Sequence, residues 1–133
     1  MNKRRDIDEI TQSVIGGAIE VHRELGPGLL ESAYEKCLAY ELSLRGHQTS
    51  RQVPLPIVYK GVELDAGYRI DLLVDDVLVV EVKAVESLNA VHQAQLLSYL
   101  KLSGRSVGLL LNFHEPTLRR GLKRVVNNYK PQL

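Results

Sequence analysis

The sequence predicts an α/β fold, a mixed sheet with helices packed against it in the order α-α-β-β-β-α-β plus a terminal element. Three observations predict it. Apolar residues step by three and four before residue 46, whereas β-branched runs dominate from residue 48 to residue 85. Those runs are separated by short turns, which reads as an antiparallel meander. A helical run and one more apolar strand then follow, the pattern of a crossover connection.

Taken in order, Ile7, Ile10, Val14, Ala18, Val21 and Leu25 mark an amphipathic helix over residues 6–25. Asp6 is its expected N-cap, with Glu9 completing a capping box, and Gly26-Pro27-Gly28 stops it. A second helix is expected over residues 30–45, with Leu30, Ala33, Cys37, Tyr40 and Leu44 along one side and Gly46 at its end. Residues 48–55 and 57–59 read as strand broken by Pro54 and Pro56, which suits a sheet edge. Lys60-Gly61 makes a turn, and residues 62–74 are expected as one continuous strand in which Gly67 marks a bulge or a close approach. Residues 77–85 are apolar enough for a central strand covered on both faces. A helix capped by Ser87 or Asn89 runs on to about residue 102 and ends at Gly104, and residues 106–113 form a short buried strand. Residues 117–128 read equally as helix or as edge strand.

Composition sets the broad class. A chain of 133 residues is one domain by the usual prior, spanning residues 1–133, and 44% hydrophobic with 25% charged is the balance of an ordinary soluble protein. No apolar run approaches the roughly 20 residues that span a bilayer. The start, Met1-Asn2-Lys3-Arg4-Arg5-Asp6, has no apolar stretch after it, so no secretory signal is expected. Cys37 is the single cysteine, which suits a cytoplasmic location. The net charge of +1 conceals Arg119, Arg120, Lys123, Arg124 and Lys130 in a tail without acids, either a phosphate-facing patch or a solvated face. Histidines 22, 47, 92 and 114 show no zinc-ligand spacing, and no phosphate-cradling glycine loop or serine elbow is present.

The chemically unusual stretch is residues 68–99. Asp71, Glu81 and Lys83 stand inside apolar runs, where an ionised group costs several kcal/mol unless it is paired or binds a metal. Period two places Glu81 and Lys83 on one face. A two-residue hairpin at Asp75-Asp76 sets Asp71 opposite Val80, whereas a three-residue loop sets it opposite Glu81, so a catalytic site requires an odd loop or a bulge. In that register the two carboxylates suit magnesium or manganese, and Lys83 can orient the attacking water or neutralise charge at phosphorus. The alternative is a cross-strand ion pair with Lys83. On the next helix His92, Gln95 and Tyr99 share a face; Gln95 and Tyr99 can hold the lysine or a phosphate, or be an ordinary polar surface, and His92 reads better as structural. Glu31 is explained by the helix dipole as a first-turn acid.

Asp71, nine residues, then Glu81-Val82-Lys83 resembles the signature of the PD-(D/E)XK nuclease superfamily, and Gln95-x-x-x-Tyr99 resembles the extra helix motif of its exonuclease branch. Gly28-Leu29-Leu30-Glu31-Ser32-Ala33-Tyr34 is similar to the pattern that names the GxxExxY protein family within it. The resemblance spans residues 10–127. It implies a restriction-endonuclease-like αβββαβ core behind an extra N-terminal helix, and magnesium- or manganese-dependent hydrolysis of nucleic acid. It also implies metal ligation by Asp71, Glu81, the carbonyl of Val82 and Glu31, with Lys83, Gln95 and Tyr99 completing a catalytic set. Ile70 stands where many members have proline. The expected function is a metal-dependent nuclease, DNA ahead of RNA, with no membrane partner and room for a homodimer. The competing reading is a catalytically inactive nucleic-acid-binding or assembly module on the same fold; six Tyr, one Phe and no Trp leave few rings for stacking bases.

Overall fold

The computed structural model describes residues 6–129, so the basic start and Lys130 lie outside the described residues. Its helices are α1 (Ile7–Leu25), α2 (Glu31–Leu44) and α3 (Ala90–Ser103). Its strands are β1 (Thr49–Pro54), β2 (Ile57–Tyr59), β3 (Val62–Leu64), β4 (Arg69–Val74), β5 (Leu78–Lys83), β6 (Val107–Asn112) and β7 (Leu122–Val126), with a 3-10 turn at Leu118–Gly121. The order β1-β4-β5-β6-β7 makes a five-stranded mixed sheet, antiparallel except for the parallel β5–β6 pair that α3 connects. This is the restriction-endonuclease-like arrangement. Among the described residues no helix is long and apolar enough to cross a membrane.

Both sheet faces are covered, which explains why β5 and β6 are nearly continuous apolar runs. On one face Ile10 and Val14 of α1 and Leu38 of α2 meet Leu72, Val80 and Leu109. On the other, Leu96 and Leu100 of α3 meet Leu73, Val79 and Leu110. The middle of the α1 stripe is as the periodicity has it, with Ile10, Val14, Ala18 and Val21 buried, but Ile7 is only half-buried and Leu25, at the helix end, is exposed. Asp6 caps α1 through the Asp8 amide, but Glu9 stays exposed and the second half of the expected box is not made.

Two expectations need correction, and one left open is decided. The inward side of α2 is Tyr34, Glu35, Leu38 and Leu42, whereas Leu30, Cys37, Tyr40 and Leu44 are exposed. Two apolar stripes competed on this helix, and Tyr34 decides between them by stacking on Phe113 at 4.5 Å. Residues 62–74 do not form one strand. β2 and β3 pair with each other as a separate hairpin, and the chain bends where the Asp65 carboxylate accepts the Gly67 amide and Gly67 takes φ +79°. The undecided tail contains both a 3-10 turn and an edge strand, β7, paired to β6.

One polar clasp sets the register that matters for function. The β4–β5 turn holds Asp75 and Asp76 at φ +52° and +61°, a conformation that short polar side chains tolerate. Asp75 donates its amide to the Gln48 carbonyl at 2.7 Å and accepts from the Gln48 amide at 2.9 Å. Its second oxygen lies 2.7 Å from Nδ1 of buried His47, whose Nε2 is 2.7 Å from the Ser13 hydroxyl. Helix, loop and turn are thereby tied at one point. Replacing Asp75 by alanine removes charge-assisted bonds from a part-buried network and should cost about 2 kcal/mol or more, read as a lowered urea midpoint at constant slope. A change under about 0.5 kcal/mol, the scatter of ordinary surface substitutions, means the turn is held by something else.

Candidate active site

The β4–β5 ladder runs Val74↔Leu78, Leu73↔Val79 and Leu72↔Val80, so the connecting loop is the three residues Asp75, Asp76 and Val77. The odd loop that a catalytic arrangement requires is present, and the same offset sets Asp71 opposite Glu81. Pairing between the two strands ends at Leu72 and Val80. Beyond it the carboxylates take over: the Asp71 amide donates to Glu81 Oε2 at 2.8 Å, and the Val82 amide donates to Asp71 Oδ2 at 2.9 Å. Buried amides must find acceptors, and here side chains supply them. The alternation of β4 also breaks at Asp71, since Ile70 joins the cluster of Leu73 rather than that of Leu72.

Packing two carboxylates together away from water disfavours their charged forms. Glu81 is only 3% exposed. Burial, reinforced by the Asp71 carboxylate, pushes its carboxyl up to about 8 against the pull of the Asp71 amide and Lys83. Asp71 is also raised, by burial first, with the Val82 amide opposing. The Lys83 ammonium makes no ion pair or hydrogen bond among the described residues, although its charge acts on both carboxylates. The cross-strand ion pair is therefore not formed.

Toward α2 the pair opens on a cavity of about 570 Å³ lined by Glu31, Glu35, Gln52, Asp71 and Val82. Glu31 reaches it from the first turn of α2 and accepts the Ala84 amide at 3.2 Å. The start of that helix is held by Tyr34, whose hydroxyl donates to the Gly26 carbonyl and accepts the Leu29 amide at 3.1 Å, while Gly28 takes φ +109°. Toward α3, Gln95 donates to the Tyr99 hydroxyl at 3.2 Å. Burial, then the charge of Glu81, pushes Tyr99 up to about 12, so the hydroxyl keeps its proton. The structure thus brings Asp71, Val82 and Glu31 to one cavity beside buried Glu81, sets Lys83 where its charge acts on both carboxylates, and places Gln95 and Tyr99 on α3, where Tyr99 feels the charges of Glu81 and Asp71. His92 stands apart as the capping-box partner of Asn89.

Two residues escaped the sequence reading. Glu35 is buried, held by Arg51 at 2.8 Å and by Gln52 at 2.6 Å. Gln52 also reaches Asp71 Oδ1 at 3.3 Å, from a strand position with φ +53° where the β1–β4 register skips a pair. A carboxylate four residues after Glu31 was a usable signal for Glu35. Nothing local marks Gln52, whose strained backbone is a tertiary product.

A divalent cation fits this chemistry, because two hard-oxygen carboxylates are held side by side with the Lys83 charge acting on both. Among the described residues no group of three or more Asp, Glu, His and Cys is gathered closely enough to hold an ion. The direct protein donors are therefore few, as magnesium commonly accepts when water completes its shell.

A family model described as PD-(D/E)XK nuclease superfamily matches residues 8–125. No curated protein and no solved structure gives a match.

The raised carboxyl carries a stability consequence. Glu81 goes from 4.5 in the open chain to about 8 when folded, so the native state holds the extra proton between those values. Its contribution is complete below about pH 4.5 and is lost as pH rises through about 8. With a chelator present, unfolding free energy should fall by a few kcal/mol from pH 5 to 9, and Glu81→Gln should flatten that slope. Manganese should restore stability more at pH 8 than at pH 5, because it binds the deprotonated form. An unchanged slope in the glutamine variant assigns the pH dependence elsewhere.

Proposed function

The chain belongs to the PD-(D/E)XK nuclease superfamily, and from that premise we propose a metal-dependent nuclease that hydrolyses phosphodiester bonds, in DNA ahead of RNA. The observation that carries the proposal is the reciprocal Asp71–Glu81 arrangement beside an uncommitted lysine. An acidic pair kept in a sheet this apolar has no evident structural benefit, since apolar residues of similar volume hold strands together at least as well.

In this reading Asp71 and Glu81 would hold magnesium or manganese with the Val82 carbonyl, and Glu31, not gathered with them as a third acid ligand, would act on the ion through its water shell. The bound ion supplies Lewis acidity at the phosphate and an acidified water. Lys83 neutralises charge developing on the phosphate oxygens, a role open to it because no carboxylate ties it down. Tyr99 stays protonated and donates, steered by Gln95. Gln52 and Glu35 keep Asp71 in place. Gly28, Glu31 and Tyr34 have separable roles in this arrangement (backbone turn, acid, anchor), which supports assignment to the GxxExxY family. The lone Cys37 suits a cytoplasmic protein, and a homodimer is compatible with the reading.

Purified protein on supercoiled plasmid and on matched RNA, with magnesium, manganese or chelator, tests this directly. Metal-dependent cleavage should appear on DNA and fall at least about a hundredfold in Glu81→Ala and Lys83→Ala. Salt-sensitive binding by the native protein without cleavage, in either metal, supports the non-catalytic module instead.

A further inference from the structure

The acidic pair has a second neighbour through Tyr99, whose hydroxyl feels the charges of Glu81 and Asp71. A groove of about 580 Å³ lies against α3, and it shares Gln95 and Tyr99 with the catalytic set. Its outer wall is Tyr68, 41% exposed, whose ring meets that of Tyr99 edge-on with centroids 5.9 Å apart. Ile57 from the β2–β3 hairpin and Val91 from the first turn of α3 make it apolar, and Lys101 is the single charged side chain that lines it. The cavity on the α2 side is the reverse, with Glu31, Glu35 and Asp71 in its lining and no lysine or arginine.

A polyanion at the carboxylate pair is thus offered two unlike neighbours. The acidic cavity repels phosphate and favours cations. The α3 groove offers a π-face, apolar walls, amide and hydroxyl groups of Gln95 and Ser98, and one ammonium group at Lys101. Those are the elements by which an unpaired base is held, stacking supplying affinity and the cation meeting the backbone. A base inside a duplex presents only its edges and cannot lay its face on the Tyr68 ring in the groove wall.

We infer that the Tyr68–Tyr99 groove binds an unpaired nucleobase next to the scissile phosphate, so that the substrate is a nucleic acid with a single-stranded end, flap or overhang. The inference rests on the nuclease reading and deepens it. Few aromatic residues are required: two of the six tyrosines meet at this one place.

The test measures binding of the full chain to a single-stranded oligonucleotide, an overhanging duplex and a blunt duplex, with calcium as the cation, and cleavage of each with magnesium. Tyr68→Ala should weaken single-stranded and overhang binding by roughly 5- to 150-fold, the equivalent of about 1–3 kcal/mol per stacked base, and leave the blunt duplex unchanged. Tyr68→Phe keeps the ring and should keep the affinity. Val91 is 74% exposed, so Val91→Glu places a charge at the rim without disturbing the core, and should act as Tyr68→Ala does. Equal effects of these variants on all three substrates, with cleavage intact, overturn the groove and leave the nuclease. Tyr68-dependent binding without cleavage in any metal overturns the nuclease and leaves the groove. Absence of binding to every nucleic acid overturns both, as does a native dimer that Val91→Glu dissociates, since the groove then serves a second copy of the chain.

Discussion

Two buried strands part after Leu72 and Val80, and at that point carboxylates replace carbonyls as acceptors for the backbone. Everything distinctive about this protein depends on that exchange. It ties Glu81 to the Asp71 amide and Asp71 to the Val82 amide. It also opens a gap in a sheet that is otherwise sealed by helices on both faces. The energetic cost falls on the Glu81 carboxyl, which burial and then the Asp71 charge push up to about 8. A site built to keep charge out of water in this way is poised to take up a cation.

The scaffold divides its work among elements that do not touch the chemistry. Asp75, His47 and Ser13 hold the turn that sets the strand register. Tyr34 anchors the loop that leads into α2, and so determines where Glu31 begins. Glu35 and Gln52 brace Asp71 from the side, and the left-handed backbone at Gln52 is the local cost of that brace. Asn112, fully buried at the end of β6, bonds the Val85 amide and carbonyl and so pins the chain just past Lys83. Removing any of these leaves the acids in the sequence and loses their arrangement.

The two sides of the gap differ in a way that gives a strand a direction through the site. Acids without cations line one side, and apolar and aromatic groups with a single lysine line the other. In the proposed nuclease this contrast of charge would orient a nucleic acid at the pair before any specific contact is made.

Sequence pattern alone determined the fold class, the α1 stripe, the central place of β5, the α3 crossover and the spacing of Asp71, Glu81, Lys83, Gln95 and Tyr99. These follow from periodicity and from the cost of charge in apolar runs, both of which are local properties. Residue spacing also narrowed the hairpin to two registers, but the choice between them belonged to Asp75 and its contacts with His47 and Gln48, which lie 28 and 27 residues away in the chain. The buried face of α2 was decided by Phe113 from the far end of β6, and the partition of residues 57–74 by a turn at Gly67. Glu35, Gln52 and Tyr68 gained their places only when separate elements met around the gap. Interactions between residues distant in sequence leave no periodic trace along the chain, and for that reason only the tertiary structure could assign them.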